Sequence, residues 1–174
     1  YVGVADGGIC YLGHEVGDDI MMYEEEQTVL HSDHLIIRKL QGAEAGFKSF
    51  QANEKALDNQ PIRRMSSITK EVLFNIDYDK IKVRRISNWN ILNKALSYAN
   101  QFQTPLISDF ECPMVYPYVV ENGLEIRQKL IKEKVFVAKY WPNVGKWVGE
   151  DTLETWMANN ILPLPIDQRY GKED

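Results

Sequence analysis

Pro113-Met114-Val115-Tyr116-Pro117-Tyr118-Val119-Val120, followed by Glu121-Asn122-Gly123-Leu124-Glu125, decides how the second half of this chain folds. The first eight positions are aromatic and β-branched, which favours a strand. Pro117 cannot donate to a ladder, so it pushes that strand toward an edge or a bulge. Asn122 with Glu125 three positions later resembles a capping arrangement, opening a helix to about Glu133. Val135-Phe136-Val137 then reads as a second short strand. A strand–helix–strand unit of this kind suits a small α+β layer.

Outward from that unit, the elements follow from local signals. Toward the C-terminus, a helix is expected from Thr152 to Ala158, and Leu162-Pro163-Leu164-Pro165 must be extended. Toward the N-terminus, the longest helix is expected from Tyr78 to Phe102, with Trp89, Leu92, Leu96, Ala99 and Phe102 as its apolar stripe. Lys80, Lys82, Arg84 and Arg85 crowd its start and oppose the macrodipole, so tertiary contacts or anionic partners must compensate. Ser66 or Ser67 caps a shorter helix bearing Ile68, Val72, Leu73 and Ile76. Pro61 ends the helix before it, which runs from Gly42 to Leu57. Ser32 and Asp33 cap another that begins near His34. At the start, Asp6-Gly7-Gly8 is a turn feeding a strand over Ile9 to Leu12.

Composition bounds the class. The chain has 174 residues, of which 44% are apolar and 26% charged, the mix of a globular domain with a sizeable core. A net charge of −5 argues against nucleic-acid binding. No apolar run reaches the roughly 20 residues that cross a bilayer, so no membrane partner is expected. Cys10 and Cys112 form no C-x-x-C pair, and no N-x-[ST] sequon occurs, which favours a cytoplasmic protein. The chain begins with Tyr1, not Met, and reads as a piece of a longer protein.

The chemistry-bearing stretches are few. His31-Ser32-Asp33-His34 holds metal-ligand types, with an ordinary helix start as the alternative; no metal is expected. Arg63-Arg64-Met65-Ser66-Ser67 sets two guanidinium groups beside hydroxyls and free amides at a helix start. That makes either an anion cradle or a solvated loop with a serine cap. Tyr140-Trp141-Pro142 is an aromatic wall for a sugar or planar ring, or part of the core. Asp167-Gln168-Arg169-Tyr170 is a polar cluster, or a helix start capped by Asp167.

Taken in order, five stretches resemble the C-terminal part of the DegT-like (StrS-like) aminotransferases. These are Asp6-Gly7-Gly8-Ile9-Cys10-Tyr11; Arg64-Met65-Ser66-Ser67-Ile68; the long helix with Arg84, Arg85 and Asn88; the strand, helix and strand from Pro113 to Pro142; and Leu162-Pro163-Leu164-Pro165. The resemblance implies an α/β fold of the aspartate-aminotransferase type (type I, pyridoxal-phosphate-dependent). Residues 1–60 would form the end of the large domain and connecting helices, and 61–174 the small α+β domain. It implies pyridoxal 5'-phosphate as cofactor, a keto-sugar nucleotide and an amino-acid donor as substrates, and a homodimer, with a role in surface-polysaccharide synthesis.

The family's Schiff-base lysine precedes the acidic residue of the turn by roughly six positions. It would therefore stand just before Tyr1, with Asp6, Gly7 and Gly8 helping to place it. No catalytic residue is then expected in this chain, which would be inactive alone. Asn59, Arg63, Arg64 and Ser66 would lie near the cofactor phosphate or the dimer seam, and Tyr140, Trp141 and Arg169 near the substrate. Two departures stand out. Ile62 takes the place of an asparagine of the phosphate pocket, and Tyr140-Trp141 stands where the family has His-Tyr. A non-catalytic aminotransferase-like protein that binds or assembles is the alternative.

Overall fold

The computed structural model describes residues 23–26, 32–42, 44–108 and 110–173. The expected Asp6–Gly8 turn, the Ile9–Leu12 strand and His31 lie outside them. The described residues mix α-helices with a small two-stranded antiparallel sheet. The chain divides into two compact units, one running to Ile76 and the other starting at Asp77.

The first unit contains α1 (Asp33–Gln41), α2 (Phe47–Ala56) and α3 (Ser67–Phe74). Asp33 fastens α1 to α2: its carboxylate accepts from Ser49 Oγ, and from Asn53 Nδ2 at 2.8 Å. Ser32, expected to cap α1, makes no side-chain cap bond. Asn53 Nδ2 also meets Nδ1 of the buried His34 at 3.0 Å, and the His34 ring packs edge-on against Phe50. The ring is thereby used in packing. Among the described residues, no three His, Cys, Asp or Glu side chains converge as a metal site. The stretch before α3 pairs with residues 24–26 through Glu26 N–H to Arg64 O and Arg64 N–H to Glu24 O, both 2.9 Å.

The second unit contains α4 (Tyr78–Leu96), β1 (Val115–Val119), α5 (Gly123–Lys132), α6 (Val144–Val148), α7 (Leu153–Asn160) and β2 (Ile161–Pro165). Asp77 caps α4 by accepting from Lys80 N–H at 2.9 Å. Thr152 caps α7 by accepting from Thr155 N–H at 3.3 Å. β1 and β2 pair antiparallel, with Pro117 opposite Pro163 and Val115 opposite Pro165. In an antiparallel ladder, alternate positions turn their amides away from the partner strand. All three prolines share that parity, so none removes a ladder bond. Trp89 of α4 packs edge-on against Tyr116 at 5.0 Å, and both close over Ile166 to make the core.

Two expectations are corrected. The apolar stripe carried α4 to Phe102, but the helix ends at Leu96. The chain leaves it because Asn100 and Gln101 bond to the outer edge of β1 instead. The second correction is Val135–Val137, which forms no strand. Lys134 adopts φ 65° at the end of α5, and Val135 N–H returns to Leu130 O at 2.8 Å. This is a Schellman ending. Arg127 Nε then takes the Val137 carbonyl at 2.8 Å, leaving it no ladder to join. The strand that does pair with β1 is the Leu162–Pro165 segment. No described helix is long and apolar enough to cross a membrane.

Candidate functional site

Two clusters carry the chemistry, one in each unit. In the first, Ser66 occupies the N-cap of α3 in extended conformation and accepts from Thr69 N–H at 3.2 Å. The remaining N-terminal amides and the helix dipole favour an anion there. Glu25 supplies one. Its carboxylate accepts from Lys70 Nζ at 3.0 Å and also from Ser67 N–H. The Lys70 hydrogen bond is the main cause holding the Glu25 carboxyl below its ordinary range, aided by the charges of Lys70 and Arg64 and by the Ser67 amide.

The flanking arginines are engaged as well. Arg63 Nη1 pairs with Glu26 at 3.1 Å, and Arg64 Nε donates to the Tyr23 carbonyl at 2.8 Å. Asn59 stands in left-handed conformation just after α2 and is exposed, as is Ile62. The structure thus brings Arg63, Arg64 and Ser66 to one helix start, as expected from the sequence. There, one N–H of each arginine donates to an acceptor of this same chain, and Ser66 Oγ accepts from Thr69 N–H. Glu25 was missed, because 45 positions separate it from Lys70 and no local pattern links them.

The second cluster follows β2. Asp167 Oδ1 accepts from Arg169 N–H at 3.1 Å and from Arg169 Nε at 2.7 Å, while Oδ2 accepts from Nη2 at 2.9 Å. Asp167 therefore closes an Asx-type turn, not a helix start. The same turn lays the Arg169 guanidinium over the Tyr170 ring at 5.6 Å. Burial raises the Asp167 pKa, but the Arg169 hydrogen bonds and the charges of Arg169 and Arg85 outweigh it, so the carboxyl sits below its ordinary value. For Arg169, the bond to Asp167 is the largest effect and raises its pKa further. The bidentate edge expected to receive a substrate anion is thus held by a carboxylate two residues away.

Asn88 pins this turn from α4. Its Nδ2 donates to the carbonyls of Ile166 and Asp167 at 3.2 Å and of Tyr170 at 3.1 Å. Its Oδ1 is buried and accepts no hydrogen bond. One turn earlier, buried Arg85 donates through Nη1 to the carbonyls of Pro113 and Met114, at 3.1 and 3.0 Å. Arg85 thereby answers, by a tertiary contact, part of the basic crowding at the helix start.

Tyr140 and Trp141 form a separate aromatic pair ahead of α6, edge-on at 5.7 Å. Trp141 is 60% exposed and left-handed (φ 50°), immediately before Pro142. That conformation is uncommon for a bulky residue. The exposed ring is presented to solvent, whereas Arg169 belongs to the post-β2 turn. No protein family, curated protein or solved structure matches the chain.

Proposed function

We propose that this chain is the C-terminal part of a pyridoxal-phosphate-dependent aminotransferase, cytoplasmic and dimeric. It would pass an amino group from an amino-acid donor to a keto-sugar nucleotide in surface-polysaccharide synthesis. The resemblance of the five ordered stretches supports this reading. The observation that carries it is the start of α3: the Arg64-Met65-Ser66-Ser67-Ile68 segment opens a capped helix whose N-terminus receives a carboxylate. That is the local chemistry an anionic ligand needs.

Three of the four residues assigned to the cofactor, Arg63, Arg64 and Ser66, are engaged within the chain and do not fit its phosphate in this arrangement, while Asn59 is exposed. Glu25 holds the anion position at the α3 start, Arg63 faces Glu26, Arg64 faces a carbonyl, and Ser66 Oγ caps its own helix. No step is routed through the cofactor on these residues. Their part is to order the first unit, as Asp167, Arg169 and Asn88 order the end of the second.

The engagement of Arg63, Arg64 and Ser66 within the chain favours a second reading, a non-catalytic aminotransferase-like protein that binds or assembles. One experiment separates the two. The complete protein containing this chain is given pyridoxal phosphate, its visible spectrum is recorded, and borohydride is added. An absorbance band that borohydride bleaches, with the label mapped to a lysine directly before Tyr1, is the outcome expected for the enzyme. A colourless, unlabelled protein overturns the catalytic reading and leaves the binding one.

A further inference from the structure

Asn88 carries an acceptor that the described residues leave unsatisfied. Its Nδ2 donates to three carbonyls of the post-β2 turn, those of Ile166, Asp167 and Tyr170. These contacts fix which end of the carboxamide is which, because exchanging the two would set an oxygen against three carbonyl oxygens. Oδ1 is therefore an acceptor. It is buried without a hydrogen-bond partner, in a residue only 6% exposed. A buried acceptor left unsatisfied disfavours the folded state, so a donor delivered to it is favoured.

Asn88 also lines a groove of about 380 Å³ between α4, the end of α5 and β2. That volume falls within the roughly 300–1,000 Å³ typical of small-molecule sites. Ile91, Leu92, Leu130, Val135 and Leu164 give the groove an apolar wall. Leu92 and Leu164 are packed against the Trp89–Tyr116–Ile166 core, so this part of the wall is fixed by the contacts that fix the fold. Asn88 is held as firmly, by its three bonds to the turn. An apolar wall with one fixed acceptor selects a ligand with an apolar body and one O–H or N–H donor. An analogue of the same shape without the donor leaves the acceptor unpaired and is rejected.

We propose that this groove binds a small neutral molecule of that kind, an alcohol or phenol. Its apolar body lies along Leu92, Leu130 and Leu164, and its hydroxyl donates to Asn88 Oδ1. The site is independent of the aminotransferase reading, since none of its residues is assigned there to cofactor or substrate.

The test uses the full chain, labelled with ¹³C and ¹⁵N, titrated with phenol at neutral pH and observed by NMR. Toluene has a similar shape without a donor, and anisole keeps the oxygen but cannot donate. Saturable shifts are expected with phenol at the amides of Leu92, Leu130 and Leu164. The Asn88 Cγ resonance should move with phenol and stay in place with toluene and anisole. Phenol should bind roughly tenfold more tightly than either analogue. Ile91→Glu puts a charge on the apolar wall at an exposed position of α4 and should weaken phenol by about the same factor, with the core amides unchanged. Equal affinity for phenol and toluene would overturn the proposal. So would an Asn88 Cγ resonance that phenol leaves in place, which would mean that an ordered water already serves the acceptor. Undiminished phenol binding in Ile91→Glu, or shifts centred on surfaces away from the groove, would overturn it too.

Discussion

The carboxamide of Asn100 stands against Val119 as a backbone amide of a third strand would. Its Oδ1 accepts from Val119 N–H at 3.0 Å, while its Nδ2 donates to the Pro117 carbonyl at 2.9 Å. Gln101 N–H extends the pairing to the Val119 carbonyl at 2.9 Å. One side chain thus satisfies the outer edge of β1, where an exposed strand would otherwise present unpaired groups. Asn100→Ala removes both strand bonds, together with those to Phe102 N–H and Tyr116 Oη, and should cost about 2 kcal/mol or more, since a typical hydrogen bond contributes roughly 1 kcal/mol and the strand groups lose their partners. Asn100→Asp should also destabilise, because a carboxylate cannot donate to Pro117. Urea unfolding followed by tryptophan fluorescence measures both. An unchanged midpoint in Asn100→Ala would refute the edge-closing role.

Gly123 is required for a different reason, the close approach of α5 to the end of α7. A Cβ at this position would lie 2.6 Å from Asn160 Cα and 2.8 Å from the Asn159 carbonyl oxygen. Both are backbone atoms, which cannot swing aside. Gly123 N–H also donates to Asn160 Oδ1 at 3.0 Å, fixing that approach. Gly123→Ala should destabilise by about 1–3 kcal/mol, the usual cost of overpacking. Thermal unfolding provides the check, and a Tm equal to that of the parent protein would show that the junction yields.

Local signals succeeded in part: Ser66 caps α3 as expected, but Asn122, expected to cap α5 with Glu125, stands in left-handed conformation and makes no side-chain cap bond, and Ser32 makes none at α1. The caps from Asp77 to Lys80 and from Thr152 to Thr155 also span three positions, although the sequence reading named neither residue as a cap. The alternation of Pro163 and Pro165 likewise marked an extended segment, and it became β2. Signals failed where a distant group intervened. Asn100 ends α4 by reaching β1, and Arg127 takes the Val137 carbonyl, although both segments carry the expected apolar patterns. At the candidate site, Arg63, Arg64 and Ser66 were readable as an anion-binding helix start, but the identity of the anion was not. The Asp167–Arg169 pair was legible in principle. An aspartate two residues before an arginine can hold it through an Asx turn, which competes with any external ligand.

Lys134 occupies the left-handed position of the Schellman ending of α5, where glycine is the usual residue. A side chain there costs roughly 1 kcal/mol relative to a residue without Cβ. Lys134→Gly should therefore raise stability by about 0.5–1 kcal/mol, after allowing for glycine's greater freedom in the unfolded chain. A lower urea midpoint would show that the lysine side chain contributes more to the ending than its backbone conformation costs.

The Asp167–Arg169 pair sets an acid dependence with a defined sign. The folded carboxyl titrates below its ordinary value, so its contribution to stability is fully present above about pH 4, the unfolded aspartate value. That contribution is lost as pH falls from there through the depressed folded value. Because the Arg169 side chain is 65% exposed, the contribution is small and weakens with salt. Arg169→Ala removes the side-chain bonds and the charge that lower the Asp167 pKa, and leaves the bond from the backbone N–H of position 169, the Arg85 charge and the burial that raises it. The carboxyl should then titrate higher than in the parent protein, and stability should fall off from a higher pH. Carboxyl-carbon NMR across an acid titration reads this directly, and the same variant tests the assignment of Arg169 to substrate. If Arg169 serves the turn alone, Asp167 shifts upward while turnover and substrate affinity of the complete protein stay unchanged. A loss of substrate affinity would place the guanidinium in the binding site despite its partner, and an unshifted Asp167 would show that the pair does not hold in solution.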